Sequence, residues 1–268
     1  MTERAIQFGK GGRLSGVFTD AREGKSRLCV GLVNSGLMPR SGPYRVYTQL
    51  ARALAPHGIS TLRFDLGGLG DSGTRSEGRL LDRTREEIGE AVQTMVTLAP
   101  ESELALGGIC SGAEDSFRYA ASDARVTRTV LVDPFAYRTA GWGWRHMRHR
   151  LYRRALRAAG LWRPMPGSGD AELIDYQYMP REEASRLLAG QVARGSAVHF
   201  VYTSGRHELF NHAAQLAKMF PALNLGTRTT VDFLPEIGHT QMLQAERDLL
   251  ISTIVRRLTD PSTSPHPR

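Results

Sequence analysis

The chain has 268 residues, of which 41% are hydrophobic and 23% are charged, and its 35 Lys and Arg exceed its 27 Asp and Glu to give a net charge of +8. This composition excludes a largely disordered or collagen-like chain and predicts one domain, or one domain with an insertion. Two cysteines are too few for a disulfide framework, and the first residues lack the pattern of a signal peptide, so we expect a cytoplasmic protein. No apolar run approaches the roughly 20 residues of a membrane-spanning helix, which argues against an integral membrane protein.

The excess of positive charge is local, because eight arginines lie between positions 138 and 163 while the rest of the chain is mixed in sign. A basic balance alone is compatible with nucleic acid, an anionic membrane surface or an anionic substrate carrier. Since the sequence contains no recognisable nucleic-acid-binding module, we do not expect a nucleic-acid partner.

Short apolar runs alternate with helical patterns along most of the chain, which predicts an α/β fold with a mainly parallel sheet. The predicted strands cover residues 5–8, 14–19, 28–33, 59–64, 104–109, 129–132, 197–202 and 229–234. The predicted helices cover residues 44–55, 80–98, 112–121, about 211–220 and about 240–258. The first two strands flank a Gly-Gly turn and are expected to form a hairpin.

The alternation lapses between residues 135 and 190, a stretch that holds the three tryptophans (Trp142, Trp144, Trp162) and most of the clustered arginines. We interpret this stretch as a helical lid inserted into a core formed by residues 1–134 and 191–259. Residues 260–268 are rich in Pro and Ser and are predicted to be a disordered tail.

The sharpest local feature is the sequence GGICSG at positions 107–112, between a predicted strand and a predicted helix. Its G-x-C-x-G pattern is typical of a nucleophile elbow, a turn so tight that small residues are needed two positions before and after the central one. Gly108 and Gly112 meet that need. Because the N-terminus of a helix favours a thiolate, Cys110 is the candidate nucleophile.

Two other interpretations of this turn stay open at the level of sequence. Cys110 could be a buried structural thiol, as we expect Cys29 in the middle of a strand to be. The adjacent Ser111 could react instead, although the glycine spacing centres on Cys110 and the backbone N–H of Ser111 is better suited to donate to an oxyanion.

A nucleophile of this kind needs a base, which in this arrangement follows the last strand. The sequence PEIGHT at positions 235–240 places His239 there, in a loop that would hold its imidazole over the edge of the sheet. The alternative is that His239 only caps the final helix.

The acid that would orient the histidine is less clearly indicated. The loop after the strand 197–202 reads TSGRHE, and Glu208 is its only carboxylate, so we favour Glu208. Asp133, at the end of the preceding strand, is the alternative, because a shift by one strand still reaches the same histidine. A cysteine nucleophile depends less on this acid than a serine does.

These motifs, together with RFDLGGLGDS at 63–72 and NSG at 34–36, resemble the α/β-hydrolase superfamily over nearly the whole chain. Within it the chain is similar to bacterial serine-aminopeptidase-like and exosortase-associated hydrolases, including members with a G-x-C-S-G-A elbow. The resemblance implies a mostly parallel sheet of about eight strands flanked by helices, with a lid after the sixth strand. It also implies that an N–H of Ser35, Gly36 or Leu37 joins that of Ser111 in the oxyanion hole.

We therefore expect a Cys-His-acid triad that cleaves an ester or thioester through an acyl-cysteine, with neither a metal nor a cofactor. A thioester intermediate exchanges readily with thiols and amines, so the alternatives include an acyltransferase and a thioesterase acting on coenzyme A or an acyl carrier protein. A third alternative is a non-catalytic binding protein that has lost its acid.

The lid supplies the candidate substrate-binding residues Trp142, Trp144 and Arg145, whose rings and charge suit an acyl group or the phosphates of a carrier. Its basic helix is equally compatible with a solvated cover of the core, or with an amphipathic helix on an anionic membrane. The sequence leaves the oligomeric state open.

Overall fold

The computed structural model describes residues 2–21, 26–74, 77–161 and 179–263. The strands are β1 (Glu3–Phe8), β2 (Leu14–Thr19), β3 (Leu28–Val33), β4 (Ile59–Asp65), β5 (Glu103–Ile109), β6 (Val126–Val132), β7 (Ala197–Thr203) and β8 (Thr229–Leu234). The helices are α1 (Val46–Leu54), α2 (Leu80–Leu98), α3 (Ser111–Ser122), α4 (Trp142–Ala158), α5 (Arg181–Ala193), α6 (Gln215–Met219) and α7 (Gln244–Thr259).

The eight strands form one sheet in the order β1-β2-β4-β3-β5-β6-β7-β8. β1 and β2 form the predicted antiparallel hairpin, and β2 also runs antiparallel to β4. All remaining neighbours are parallel. The predicted fold class, a mostly parallel sheet flanked by helices, is therefore confirmed.

Helices cover both faces of this sheet, which explains why β3, β4 and β7 are buried along their whole length. On one face, Leu54 of α1 and Leu250 of α7 pack in one cluster with Val30. On the other face, α2 and α3 supply the apolar side chains, with Met95 and Phe117 fully buried. None of the helices in the described ranges is long and apolar enough to cross a membrane.

Two predicted helices begin four residues later than their patterns indicate. Residues 211 and 212 are irregular and residues 213 and 214 form a turn, and the buried Gln215 side chain accepts the N–H of Asn211 at 3.1 Å. α7 begins at residue 244 because Glu246 folds back to accept the N–H of Leu243 at 3.0 Å.

The predicted lid is only partly separate from the core. α5 packs against α3 and β7, with Ala184 and Leu188 buried, so it belongs to the helical layer of the sheet. The predicted boundary between residues 190 and 191 falls inside this helix. Trp162 lies outside the described residues.

The predicted tail begins with ordered structure. Pro261–Thr263 forms a 3-10 turn, in which the Asp260 carboxylate accepts the N–H of Ser262 at 2.9 Å. The sequence predicts disorder from residue 260, and this local hydrogen bond stabilises a turn in the first part of that tail. Residues 264–268 lie outside the described part of the chain.

The strand order brings four loops to one edge of the sheet. The parallel strands β5, β6, β7 and β8 are neighbours, so the residues that follow their carboxyl ends lie side by side. The chain changes direction across the sheet between β3 and β5, and such switch points are where open α/β sheets bind ligands.

Candidate active site

Cys110 occupies the tight turn between β5 and α3, with a positive φ of 55° and a ψ of −120°. A Cβ at Gly108 would lie 2.5 Å from the carbonyl carbon of Gly112, and a Cβ at Gly112 would lie 2.5 Å from the carbonyl oxygen of Val33. Only glycine fits at these two positions, as the elbow pattern predicts. The backbone at residue 110 thus has the strained geometry of a nucleophile elbow.

The loop after β3 lies beside the residue that follows Cys110. The N–H of Gly36 donates to the Ser111 hydroxyl at 2.7 Å. The Asn34 side chain supports this loop by donating to the carbonyl of Met38 at 2.7 Å. Of the three predicted oxyanion-hole residues in the loop, the structure therefore ties Gly36 directly to the elbow, with Ser35 and the exposed Leu37 on either side of it.

His239 follows β8 and turns its Nδ1 towards Asp133, whose Oδ2 lies 2.8 Å away. Asp133 follows β6, is fully buried and has a positive φ of 49°. Its two carboxylate oxygens also accept the backbone N–H of Thr203 at 2.7 Å and the Thr203 hydroxyl at 2.5 Å. The carboxylate is thereby held in one orientation under the imidazole.

Glu208, the acid favoured by the sequence, makes no hydrogen bond to His239 in the described part of the chain. Glu208 is exposed, and a 3-10 turn over Ser204–Arg206 separates it from the end of β7. Its backbone carbonyl accepts a hydrogen bond from Arg138 at 3.0 Å. Asp133, the alternative, is the carboxylate that reaches His239.

Gly205 allows His239 to approach this loop. A Cβ at Gly205 would lie 2.8 Å from Nδ1 of His239, so a larger residue would displace the ring. This role of Gly205 was not predicted from the sequence, although a glycine two residues after the end of β7 was a usable signal.

Arg206 is a second residue that the sequence analysis missed. Its side chain is buried, with 3% of the residue exposed. Nε and Nη2 donate to the backbone carbonyl of Asp133 at 3.0 and 2.9 Å, and Nη2 also lies 3.9 Å from Sγ of Cys110. One guanidinium therefore links the turn that carries the acid to the candidate nucleophile.

The three groups have shifted pKa values. Burial alone would raise the pKa of the Cys110 thiol, but a hydrogen bond with His239 and the charge of Arg206 bring it below its ordinary value. Burial lowers the pKa of His239, whereas its hydrogen bonds with Asp133 and Cys110 outweigh this and raise it to about 9.

Burial also opposes ionisation of Asp133, but hydrogen bonds from His239 and Thr203 hold the pKa of its carboxyl below the usual range. The three shifts act in one direction, because each favours the charged form of its group: the thiolate, the imidazolium and the carboxylate. Such a thiolate is a nucleophile without prior proton transfer.

One further carboxyl lies buried close to this charge network. Glu114 is in the first turn of α3, and burial raises its pKa to about 7. One of its oxygens accepts the N–H of Met179 at 3.2 Å, and the other has no hydrogen-bond partner among the described residues.

The predicted substrate-binding residues lie in the first turn of α4. Trp142 packs under the Arg138 guanidinium at 4.3 Å, and Arg145 donates to the side chain of Asn211 at 2.8 Å. Trp144 is 61% exposed, and it faces away from these contacts. Within the four described stretches, no group of three or more His, Cys, Asp or Glu side chains could hold a metal ion.

No protein-family model and no curated protein matches this chain. Similar solved structures each cover 96% of it. An α/β serine hydrolase without a lid from Xanthomonas campestris is 14% identical, with 93% of its own chain covered and a TM-score of 0.59. An α/β hydrolase from Penicillium sp. sh18 is 17% identical, with 98% covered and a TM-score of 0.63.

An esterase from Pyrococcus furiosus is 14% identical, with 90% of its chain covered and a TM-score of 0.62. At these identities the likeness concerns the fold. The chain therefore has the α/β-hydrolase fold, in agreement with the resemblance seen in its motifs. Its subfamily and its cysteine nucleophile stay predictions.

Proposed function

We propose that this protein is an acyl-group hydrolase that cleaves an ester or thioester through a covalent acyl-cysteine, with Cys110, His239 and Asp133 as its triad. The observation that carries the proposal is the geometry of the site. A thiol in a strained elbow 3.9 Å from a buried guanidinium, an imidazole that lowers the pKa of this thiol, and a buried carboxylate 2.8 Å from the same imidazole lie at one edge of the sheet. This arrangement of nucleophile, base and orienting acid is the one that acyl transfer requires.

In the acylation step, the Cys110 thiolate attacks the carbonyl carbon of the substrate. The negative charge that develops on the carbonyl oxygen is stabilised by the N–H of Ser111 and by an N–H of the loop 35–37, each worth about 3 kcal/mol. The imidazolium of His239 gives its proton to the departing alcohol or thiol as the bond between that group and the carbonyl carbon breaks. The product of this step is a thioester on Cys110.

In the deacylation step, neutral His239 takes a proton from water as the water oxygen attacks the thioester. The bond between the acyl carbon and Sγ breaks, the carboxylic acid leaves, and the thiolate returns beside Arg206. A thiol or amine in place of water would give acyl transfer. Acyl transfer is the relevant alternative for substrates whose acyl group is carried on coenzyme A or on an acyl carrier protein.

Two facts favour a catalytic role over a binding protein that has lost its acid. The site does not lack a carboxylate beside its imidazole, because Asp133 after β6 lies 2.8 Å from His239. In addition, solved structures with this fold include a serine hydrolase and an esterase. These names describe the activities of those proteins and support hydrolysis as the reaction class here.

The test is intact-protein mass spectrometry after brief exposure to p-nitrophenyl esters and acyl-thioesters. We expect an added acyl mass that is absent in Cys110→Ala. Cys29→Ala is the matched control, because Cys29 is the other cysteine of the chain, is fully buried and has a pKa raised to about 12 by that burial. The lifetime of the adduct in water, against its lifetime with added thiol or amine, separates hydrolase from transferase.

The absence of both adduct and product with every substrate in the panel would contradict the proposal. An acyl group that remains in Cys110→Ala and disappears in Ser111→Ala would instead assign the reaction to the serine.

A further inference from the structure

The helix α4 presents an apolar stripe to solvent. Trp144, Met147 and Leu151 are 61%, 46% and 56% exposed, and their spacing of three and four residues places them on one side of the helix. The exposed residues Ala155 and Ala158 continue the same stripe for two more turns. A helix on a protein surface ordinarily turns such a stripe towards the core.

The rotation of α4 is fixed by contacts on its opposite side. The ring centroid of His207, in the loop after β7, lies 4.2 Å from that of His149 and 5.4 Å from that of His146. Arg145 adds a hydrogen bond to Asn211 on the same side. Because the polar and aromatic side of α4 contacts the loop after β7, the apolar stripe on the opposite side points outwards.

The charge of the helix limits what can cover this stripe. α4 contains six arginines and no acidic residue in its 17 positions. Exposed Arg148 lies on one flank of the stripe, and exposed Arg150 and Arg154 lie on the other. A second copy of the chain would bring like charges together along the whole contact, which disfavours self-association through this face.

We propose that α4 is a docking surface for an anionic lipid bilayer, with its apolar stripe in the headgroup region and its arginines on lipid phosphates. Trp and Leu on one face, arginines beside them and a low overall hydropathy are the features of helices that lie in a membrane interface. The helix is about 25 Å long, so its stripe offers an extended contact to a flat surface.

The direction of the stripe favours lipid over an acidic carrier protein. A carrier protein that delivers its acyl group to Cys110 would dock near the loop that contains Arg206. The inner side of α4 contacts that loop. The stripe lies on the outer side of the helix, about 10 Å further from that loop. This proposal does not depend on the catalytic one.

The experiment is flotation of the full chain with phosphatidylcholine vesicles, with and without phosphatidylglycerol, at low and high salt. We expect binding only to the anionic vesicles, weakened by salt. Leu151→Glu should reduce it by about tenfold or more, because it places an acid in the stripe. The matched control is Leu81→Glu in α2, since Leu81 is 51% exposed on another element.

A double change, Arg148→Gln with Arg154→Gln, should lower vesicle binding and its dependence on salt while leaving the stripe intact. The proposal would be overturned by a failure of the native chain to float with anionic vesicles, or by equal losses in Leu151→Glu and Leu81→Glu. It would also be overturned if Leu151→Glu converted a dimer to a monomer, because a second copy would then cover the stripe.

Discussion

Replacing Asp133 with asparagine tests which carboxylate supports His239. Asn keeps the shape of the side chain and removes its charge. In the native site Asp133 accepts three hydrogen bonds, one from His239 and two from Thr203. The amide cannot accept all of them, so we expect a loss of about 1 to 3 kcal/mol in the free energy of unfolding.

The effect on reactivity follows from the pKa of His239. Against the opposing effect of burial, Asp133 and Cys110 raise this pKa from 6.5 to about 9, which corresponds to about 3 kcal/mol in favour of the imidazolium. Asp133 is the larger of the two contributions. Removing the charge of Asp133 should therefore destabilise the thiolate–imidazolium state by roughly 2 kcal/mol. This loss would lower the rate of acylation near neutral pH by about 30-fold.

The assay is the rate of alkylation of Cys110 by iodoacetamide across a range of pH, with ester hydrolysis measured in parallel. In the native protein the rate should stay high below the ordinary pKa of a thiol, whereas in Asp133→Asn the rise should move to higher pH. The free energy of unfolding of the native protein and of Asp133→Asn is measured in parallel to confirm that both are folded.

Glu208→Gln is the matched control, because it makes the same chemical change at the other candidate acid, which is exposed. We expect native rates and native stability for it. If Glu208→Gln lost reactivity while Asp133→Asn kept it, the assignment of the acid from this geometry would be refuted.

Changes at three further positions test other parts of the structure. Gly205→Ala should lower activity strongly with little loss of fold, since its methyl group would displace His239; activity and thermal unfolding check this. Arg206→Gln should shift the alkylation profile of Cys110 to higher pH, and Arg206→Lys should restore part of the shift. Burial raises the pKa of Glu114 from 4.5 to about 7, so this carboxyl lowers stability progressively as pH rises between those values, by about 3 kcal/mol in full. Urea unfolding at about pH 5 and pH 8 should therefore show Glu114→Gln to be more stable than the native chain mainly at the higher pH.

The sequence predicted the parts of this site that depend on local chain geometry. The elbow could be recognised because its glycine spacing, strand and helix are contiguous in the chain. His239 could be placed because it directly follows the last strand. Both inferences require only neighbouring residues and the general order of the fold.

The acid could not be chosen in the same way, because Asp133 and Glu208 both follow strands that end at the right edge. The choice depends on the 3-10 turn after β7 and on the bonds that Thr203 makes to the Asp133 carboxylate. Neither feature has a local sequence signal.

Likewise, the pattern of α4 is visible in the sequence, but the direction of its apolar stripe depends on a distant contact with His207.

The backbone at the site supports the choice of Cys110 and Asp133 independently of any titration. Both residues adopt positive φ values, a conformation that costs non-glycine residues on the order of 1 to 3 kcal/mol. Each is held there by the neighbouring strand. The N–H of Cys110 donates to the carbonyl of Val132 at 2.8 Å, and the N–H of Asp133 donates to the carbonyl of Val201 at 2.8 Å.

These two bonds extend the sheet one residue beyond the ends of β5 and β6. Because the sheet continues to that point, it can hold a strained residue at the end of each strand and lift both side chains above its edge. Cys110 and Asp133 thus hold strained backbone conformations at the ends of two adjacent strands, both near the imidazole of His239. Such strain is expected where the position of a side chain matters for chemistry.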